Sequence, residues 1–258
     1  ILAWLTWWGS HKYDPYRPLE SEKAPLTVQV IAEQFKWIFI YPEQNIATVN
    51  ELRFPEQTPV SLRLTSNFTM NSFFIPALSG QIYAMAGMQT HLNILADNTG
   101  EFRGFSSNYS GYGFSQMRFL AHSVTEADFD QWVTAVKAGQ GTTINPEAVQ
   151  KTVLDQAEFA SLRDGNRSQK QIDAMVRNAK TELEKKLAAT ALKEGPYKTQ
   201  PHPVTYYSSV EQGLFESVIN NYMSNYHGAD HSAPVVAGEA PASETHVAVE
   251  HATASQGE

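Results

Sequence analysis

The sequence predicts a mostly β fold, a sandwich or barrel with α-helices added at its C-terminal end. Segments of β-branched and aromatic residues recur between residues 26 and 121, and turn-forming residues separate them. Short strands at this spacing are typical of sandwiches and barrels. After residue 124 the apolar residues recur at helical spacing instead, which predicts the added helices.

The chain begins with an apolar segment that is rich in tryptophan, ILAWLTWW at residues 1–8. Eight residues are far fewer than the ~20 that a helix needs to cross a bilayer. Tryptophan is nevertheless enriched at membrane–water interfaces. We therefore interpret residues 1–10 as the end of a transmembrane helix, with a buried N-terminal segment as the alternative. Residues 11–25, which contain Pro15 and Pro18, are expected to form a linker.

The predicted β-domain spans residues 26–123. Its clearest strands are predicted over residues 26–31, 35–41 and 59–65, which either alternate apolar and polar residues or are rich in β-branched and aromatic ones. Residues two apart in a strand point to the same face. Four aromatic side chains of one predicted strand are therefore expected to share one face: Phe35, Trp37, Phe39 and Tyr41. We interpret this face as part of a core or an interface rather than as a route for electron transfer.

The helical pattern begins after Val124. Thr125 is predicted to cap the first helix and Gly139 to end it. Asn145 is predicted to cap a second helix, with Pro146 at the first helical position, where proline is favoured. The apolar face of the first helix is expected to contain Phe129, Trp132, Val133 and Val136.

Two more helices are predicted further along the chain. Ser168 and Gln171 form a capping box for the longest helix, which Gly195-Pro196 ends. Segment 146–194 is interpreted as an amphipathic element packed on its own domain, with a contact to another protein as the alternative. Ser209 is predicted to cap the last helix, whose buried face is expected to contain Phe215, Val218, Ile219, Tyr222 and Met223.

The part of the chain after residue 226 has a different composition. Residues 227–258 are rich in Ala, Pro, Ser and Glu without periodicity, which predicts a disordered tail. Residues 124–226 before it are predicted to form a helical C-terminal extension. The tail contains His227 and His231 at the spacing of a metal clamp. Gly228 between them disfavours a helix, so we expect a solvated tail rather than a metal site.

Composition excludes several classes of function. The chain has no cysteine, which excludes disulfides and sites built on thiolates. The net charge is −8, and after residue 195 seven acidic residues accompany a single lysine, so no basic face for nucleic acid is indicated. No catalytic triad, phosphate-binding loop or dinucleotide fingerprint appears. We expect no catalytic residue and no cofactor in this chain.

The most informative segment is SSNYSGYGFSQM at residues 106–117. It resembles the copper-binding loop of heme-copper oxidase subunit II, Cys-x-Glu-x-Cys-Gly-x-x-His-x-x-Met, which is preceded by a histidine-containing segment. Gly111 and Met117 match that pattern. The positions that correspond to the six copper ligands are Asn71, Ser106, Asn108, Ser110, Phe114 and Met117, so five of the six are substituted. Soft copper sites require sulfur and imidazole ligands.

Further blocks resemble subunit II of the bo-type ubiquinol oxidases in particular. They are MNSFFIP at residues 70–76, QIYAMAGMQT at 81–90, WIFIYPEQ at 37–44 and IATVNE at 46–51. The resemblance covers roughly residues 12 to 137. It implies a cupredoxin-like Greek-key domain over residues 26–123 and no copper in this chain.

The resemblance also implies a cellular context. This chain is expected to be a non-catalytic subunit II, needed for assembly and stability of a ubiquinol oxidase that reduces oxygen to water and pumps protons. Heme and copper are expected in the partner subunit I. The expected location is the bacterial inner membrane, with this domain on the periplasmic side, and membrane lipid, ubiquinol and other subunits as partners. A membrane anchor after a lipoprotein-type signal is expected upstream.

Two alternatives from other classes remain open. The first is a periplasmic cupredoxin-like electron-transfer module with a mononuclear copper site. It is weakened because Met117 is the only soft ligand in the loop, while His91 and His122 lie outside the pattern. The second is an independent periplasmic binding module with an unknown ligand.

Overall fold

The structure is a computed structural model that describes residues 1–12, 14, 16–17, 19, 21, 23–111, 113–164, 177, 185 and 202–226. Ile1–His227 form one compact unit. The helices are α1 (Leu2–Lys12), α2 (Glu126–Lys137), α3 (Gly141–Ile144), α4 (Gln156–Asp164) and α5 (Leu214–Tyr226). The strands are β1 (Leu26–Glu33), β2 (Lys36–Tyr41), β3 (Ile46–Val49), β4 (Glu51–Pro55), β5 (Val60–Ser66), β6 (Asn71–Phe74), β7 (Ile82–Ala84), β8 (Thr90–Ile94), β9 (Gly100–Ser106), β10 (Arg118–Val124), β11 (Val149–Leu154) and β12 (Thr205–Val210).

The strands form two sheets. The first has seven strands in the order β11-β12-β3-β2-β1-β5-β8, and the second has five in the order β4-β10-β9-β6-β7. Most neighbours are antiparallel, but β1 pairs with β5, β4 with β10 and β11 with β12 in parallel. Such parallel neighbours need long connections, so the chain crosses between the sheets several times.

The main core lies between the two sheets. Trp37 and Phe39 from β2 contact Phe73 and Phe119 from the second sheet, with ring centroids 5.1 to 6.3 Å apart. All four side chains are buried. Aromatic pairs in edge-to-face or offset geometry add to the stabilisation from burial alone. The two-sheet sandwich predicted from the alternating segments is therefore confirmed.

A second core covers the outer face of the seven-stranded sheet. Ile38 and Ile40, which alternate with the inner aromatic residues along β2, pack against α4 and α5 through Phe159 and Phe215. Lys36 is also buried there, and its ammonium donates to the backbone oxygen of Leu162 near the end of α4. Burial lowers the pKa of Lys36 to about 8. The predicted fold class included added C-terminal helices, and α4 and α5 are such helices, packed on the outer face of the first sheet.

Helix α2 has the cap and the buried face that the sequence predicts. Thr125 caps it, because its side chain accepts a hydrogen bond from the Asp128 amide at 3.2 Å. The helix ends at Lys137, and Gly139 beyond it has a φ of +74°. Its buried side chains are the four expected ones, Phe129, Trp132, Val133 and Val136.

Several predictions for residues 124–226 are wrong. Asn145 and Pro146 do not start a helix, because the strand β11 follows, and α4 begins only after Asp155, whose carboxylate accepts from the Glu158 amide. Ser209 lies in β12 and is no helix cap. The extension is therefore mixed rather than helical, since two strands with β-branched and aromatic residues join the first sheet.

The side-chain faces of β2 and α5 also differ in part from the prediction. Phe35 does not share the strand face of Trp37, because it lies in the β1–β2 turn with a φ of +63°. In α5, Phe215 and Val218 are buried and Ile219 is half-buried, but Tyr222 is exposed. The side chain of Met223, the helix predicted from Ser168 and the tail from 227 lie outside the described residues.

Helix α1 carries the N-terminal tryptophans. Trp4, Trp7 and Trp8 are all exposed, and Trp4 and Trp8 stack with centroids 6.3 Å apart. Lys12 lies over the Trp8 ring. In the described part of the chain, none of the helices has the length and apolar character required to span a bilayer.

The cap of α2 gives a direct stability test. Thr125→Ala removes the side-chain acceptor for the Asp128 amide and is expected to lower the free energy of unfolding by about 1 kcal/mol. Thr134→Ala is the matched control, because Thr134 is exposed within the same helix and bonds only to its own turn. Alanine is the better helix former, so this control is expected to be neutral or slightly stabilising. Urea unfolding measures both, and equal effects would contradict the cap assignment.

Candidate functional site

The six positions that correspond to copper ligands meet at one end of the sandwich. Asn71 begins β6 and Ser106 ends β9, and these strands pair next to each other, with Phe73 opposite Ser106. The chain then passes through a loop and a 3₁₀ turn at Phe114–Gln116 before Met117 leads into β10. The sheet register therefore brings together residues that are 35 positions apart in the sequence.

A hydrogen-bond network joins three of these six positions. The Ser106 hydroxyl lies 3.2 Å from Asn71 Oδ1 and 3.3 Å from the Asn108 backbone oxygen. Asn71 Nδ2 donates to the Thr69 backbone oxygen at 2.9 Å, and Asn108 Nδ2 donates to that of Met70 at 3.0 Å. Asn71 and Ser106 are both buried. These contacts join Asn71, Ser106 and Asn108 in one polar network.

A second group of contacts holds the start of the loop. Ser107 Oγ lies 2.8 Å from Ser72 Oγ and 2.7 Å from Gln81 Oε1, and the Ser107 amide donates to the Ser72 backbone oxygen. Ser107 immediately follows β9 and Ser72 lies in β6, so these bonds extend the ladder between the two strands. Sequence comparison with the copper loop did not single out Ser107, because it lies between the ligand positions.

The remaining three positions have different surroundings. Ser110 is buried, and its hydroxyl has no hydrogen-bond partner among the described residues. Met117 is fully buried in the core between the sheets, which gives it a packing role. Phe114 is only half-buried, and its ring lies edge-on to the exposed Tyr109 at 5.1 Å rather than in the interior. The phenyl ring of Phe114 therefore does not fill an interior volume at this end of the sandwich.

The donors at these positions do not fit a soft copper ion. They supply two hydroxyls, two amides, a phenyl ring and one thioether, whereas copper centres of this kind need thiolates and imidazoles. Within the described ranges, no three His, Asp or Glu side chains are close enough to hold a metal ion together. The arrangement can connect strands and present a surface, and it offers no general acid, base or nucleophile.

A second buried network lies where the chain crosses from the first sheet to the second. Asn50 separates β3 from β4 and has a φ of +59°, a conformation that asparagine tolerates better than most residues. Its side chain accepts from the Trp37 amide at 2.9 Å and donates to the His202 backbone oxygen at 2.9 Å. Asn50 therefore ties β2 to the segment that precedes β12.

Glu51 follows directly and is 1% exposed. Its carboxylate accepts from the Tyr206 hydroxyl at 2.6 Å, from Asn145 Nδ2 at 2.9 Å and from Arg53 Nε in an ion pair. The Arg53 guanidinium also lies over the Trp132 ring, 5.7 Å from its centroid. Burial and the nearby carboxylate raise the pKa of Tyr206, so its hydroxyl stays protonated and donates.

The two adjacent tyrosines of β12 serve opposite faces of the sheet. Tyr206 points into the main core, where its ring lies edge-on to Trp132 at 6.1 Å. Tyr207 points to the outer core, and its hydroxyl donates to Glu158 at 2.9 Å. Sequence reasoning missed both roles, although the Tyr-Tyr pair within a β-branched context was an available signal for a strand buried on both faces.

Comparison with known proteins agrees with this geometry. Residues 197–225, which include β12 and most of α5, match the family model described as the COX Aromatic Rich Motif. The cytochrome bo(3) ubiquinol oxidase subunit 2 of Pseudomonas aeruginosa is 57% identical over 138 residues, covering 54% of this chain and 42% of that protein. The ubiquinol oxidase subunit 2 of Acetobacter aceti is 40% identical over 224 residues, covering 86% and 58%.

The chain is similar to the subunit 2 proteins of the ubiquinol oxidases, and one of these matches extends over 86% of its own length. The family resemblance found in the sequence is thereby confirmed. The chain spans about half the length of the curated relatives that it matches. Among solved structures, the periplasmic domain of subunit II of cytochrome oxidase from Bradyrhizobium japonicum aligns with a TM-score of 0.44 and 23% identity, covering 46% of this chain and 98% of that domain.

Two buried serines of the loop allow a matched test of the polar network. Ser106→Ala leaves the Asn71 side-chain oxygen without its donor and is expected to cost about 1 kcal/mol in the free energy of unfolding. Ser110→Ala removes a buried hydroxyl that lacks a partner, so it is expected to be neutral or stabilising. Chemical denaturation distinguishes the two. A larger loss in Ser110→Ala than in Ser106→Ala would contradict the network.

Proposed function

We propose that this chain is the copper-less subunit II of a membrane ubiquinol oxidase. In this proposal it takes no direct part in redox chemistry, and it contributes to assembly and stability of the complex. Quinol oxidation, oxygen reduction to water and proton pumping take place in a partner, subunit I, which holds the heme and copper cofactors. Sequence similarity to the subunit 2 proteins of the ubiquinol oxidases is the observation that carries this proposal.

The chemistry of the β9–β10 loop supports the absence of copper. The chain contains no cysteine, so no bridging thiolate is available. Three of the positions that correspond to ligands, Asn71, Ser106 and Asn108, are instead joined by neutral hydrogen bonds. A loop held by such bonds keeps its shape without a metal. We therefore assign this loop a structural role, in place of the redox role of the copper-binding loop that it resembles.

The electron donor follows from the same argument. An electron relay on the water side is needed when the donor is a soluble protein. Quinol is soluble in lipid and reaches subunit I through the bilayer, so this chain needs no metal relay. The aromatic residues Trp37, Phe39 and Tyr41 are all buried, which suits a packing role better than electron entry from a soluble partner.

The exposed tryptophans of α1 support a membrane location. Trp4, Trp7 and Trp8 are all exposed, and such side chains are favourable at the interface between lipid and water. Lys12 at the end of the helix is a typical interfacial anchor. We place the complex in the bacterial inner membrane, with the β-domain on the periplasmic side and α1 as the end of the anchor.

Purification from native membranes tests this proposal. A tagged full-length protein, extracted in mild detergent, is expected to co-purify with a heme-containing subunit, and the preparation is expected to consume oxygen with ubiquinol but not with reduced cytochrome c. Recovery as a free monomer without heme would contradict the proposed assembly. Turnover with cytochrome c at the rate seen with ubiquinol would contradict the proposed donor.

A further inference from the structure

An open groove of about 790 Å³ lies on the outer side of the five-stranded sheet. Its apolar walls come from Phe105 on β9, Leu120 on β10, Phe114 in the loop and Val204 before β12. This volume falls within the range of roughly 300–1,000 Å³ that is typical of small-molecule sites. We call this feature the arginine groove, because Arg103 and Arg118 also line it.

The two arginines lie on the same face of neighbouring strands. In the antiparallel pairing of β9 with β10, Arg118 is opposite Phe105 and Arg103 is opposite Leu120, so the guanidinium-bearing residues are diagonal neighbours. Both are exposed. Arg118 Nε donates to the Ser115 backbone oxygen at 3.1 Å, which orients its guanidinium beside the loop. This spacing allows two guanidinium groups to approach one anion.

The charge of the groove is opposite to that of the chain. The whole chain carries a net charge of −8, yet no Asp or Glu is among the described residues that line the groove. The nearest acidic residue along β9 is Glu101, whose carboxylate lies 4.0 Å from His122 on β10. A ligand with an anionic group and an apolar body is complementary to this surface.

The groove lies at the end of the sandwich from which α1 departs. Following α1, the ring of Tyr16 packs against His91 near the start of β8, with centroids 5.6 Å apart. Lys12, the last residue of α1, is four residues before Tyr16 and therefore at most about 14 Å away along the chain. The start of β8 pairs with the end of β5, where Thr90 is opposite Leu64.

The loop occupies that same end. Thr69, three residues after the end of β5, donates through its hydroxyl to the Ser110 backbone oxygen at 3.3 Å. Ser106, Ser107 and Ser115 of the loop region form one rim of the arginine groove. The rim of the groove and the tryptophan-bearing helix are thus on the same side of the domain, which places the groove near the lipid headgroups if α1 marks the membrane.

We propose that the arginine groove binds an anionic phospholipid, with its phosphate between Arg103 and Arg118 and its acyl chains against Leu120, Phe105 and Phe114. The part of this proposal that rests on the proposed membrane location is that the bound amphiphile is a lipid of the membrane. The groove itself is complementary to any amphiphile with a phosphate group. Such a lipid would join the domain to the bilayer beside the β9–β10 loop.

Calorimetric titration of the full 258-residue chain tests the site without a membrane. The probe is dihexanoyl phosphatidylglycerol below its critical micelle concentration, compared with dihexanoyl phosphatidylcholine and with inorganic phosphate. Saturable binding of the anionic lipid is expected, with binding of either comparison ligand weaker by about tenfold or more. Absence of saturable binding, or equal binding of phosphate alone, would overturn the proposal.

Variants locate the binding. Arg103→Gln with Arg118→Gln is expected to weaken binding of the anionic lipid at least about tenfold, and Leu120→Gln is expected to weaken it with both charges kept. Arg63→Gln with Lys137→Gln changes the net charge equally at exposed positions elsewhere and is expected to leave binding unchanged. Equal losses in both double variants would show a non-specific charge effect and overturn the site. Unfolding midpoints confirm that each variant is folded.

Photo-crosslinking in native membranes identifies the natural occupant. With p-benzoylphenylalanine in place of Phe114 in the full-length protein, an adduct with an anionic phospholipid is expected. An adduct with another protein chain would instead make the groove a protein interface and overturn the lipid assignment. The titration requires no oxidase complex, so an absence of lipid binding would not contradict the proposed function. Failure of co-purification would likewise not contradict lipid binding in the arginine groove.

Discussion

The buried carboxylate of Glu51 is the constraint on which the arrangement of the sandwich depends. A buried charge costs several kcal/mol unless it is paired and hydrogen-bonded. Here Arg53, Tyr206 and Asn145 supply the three contacts, and they come from β4, β12 and the segment after α3. The fold therefore stabilises this charge only when the strand that carries Tyr206, 155 residues away in the sequence, is docked against the sheet crossing.

The point at which the chain crosses from β3 to β4 also determines how the strands that flank the β9–β10 loop are arranged. Asn50 lies between β3 of the first sheet and β4 of the second, and β4 pairs in parallel with β10. The strands β10, β9 and β6 follow in order across the second sheet, so the ends of β6 and β9 meet. The Asn71–Ser106 contact is a consequence of this register. A scaffold determined by packing and by a buried charge does not require a metal at its end, which agrees with a subunit that acts through its surfaces.

Much of the β-domain could be predicted because its signals are local. The alternating segments gave β1, β2 and β5, and the cap and apolar spacing gave α2. The strands β11 and β12 could not be predicted in this way, because their parallel pairing joins segments about 56 residues apart and their residues also suit helix caps. Glu51 resembled an ordinary surface residue, since no local pattern shows that Tyr206 and Asn145 converge on it. Phe35 was misplaced because only the fold reveals the turn with positive φ.

A double-mutant cycle between Glu51 and Tyr206 tests this account most directly. The free energies of unfolding are measured for the parent chain, Glu51→Ala, Tyr206→Phe and the double variant. A hydrogen bond between a hydroxyl and a buried carboxylate predicts a coupling energy of about 1.5 to 3 kcal/mol. The same cycle with Ser106 in place of Tyr206 serves as the control and is expected to be additive. Additive effects of Glu51→Ala and Tyr206→Phe would contradict the claim that this carboxylate holds the aromatic-rich segment to the sandwich.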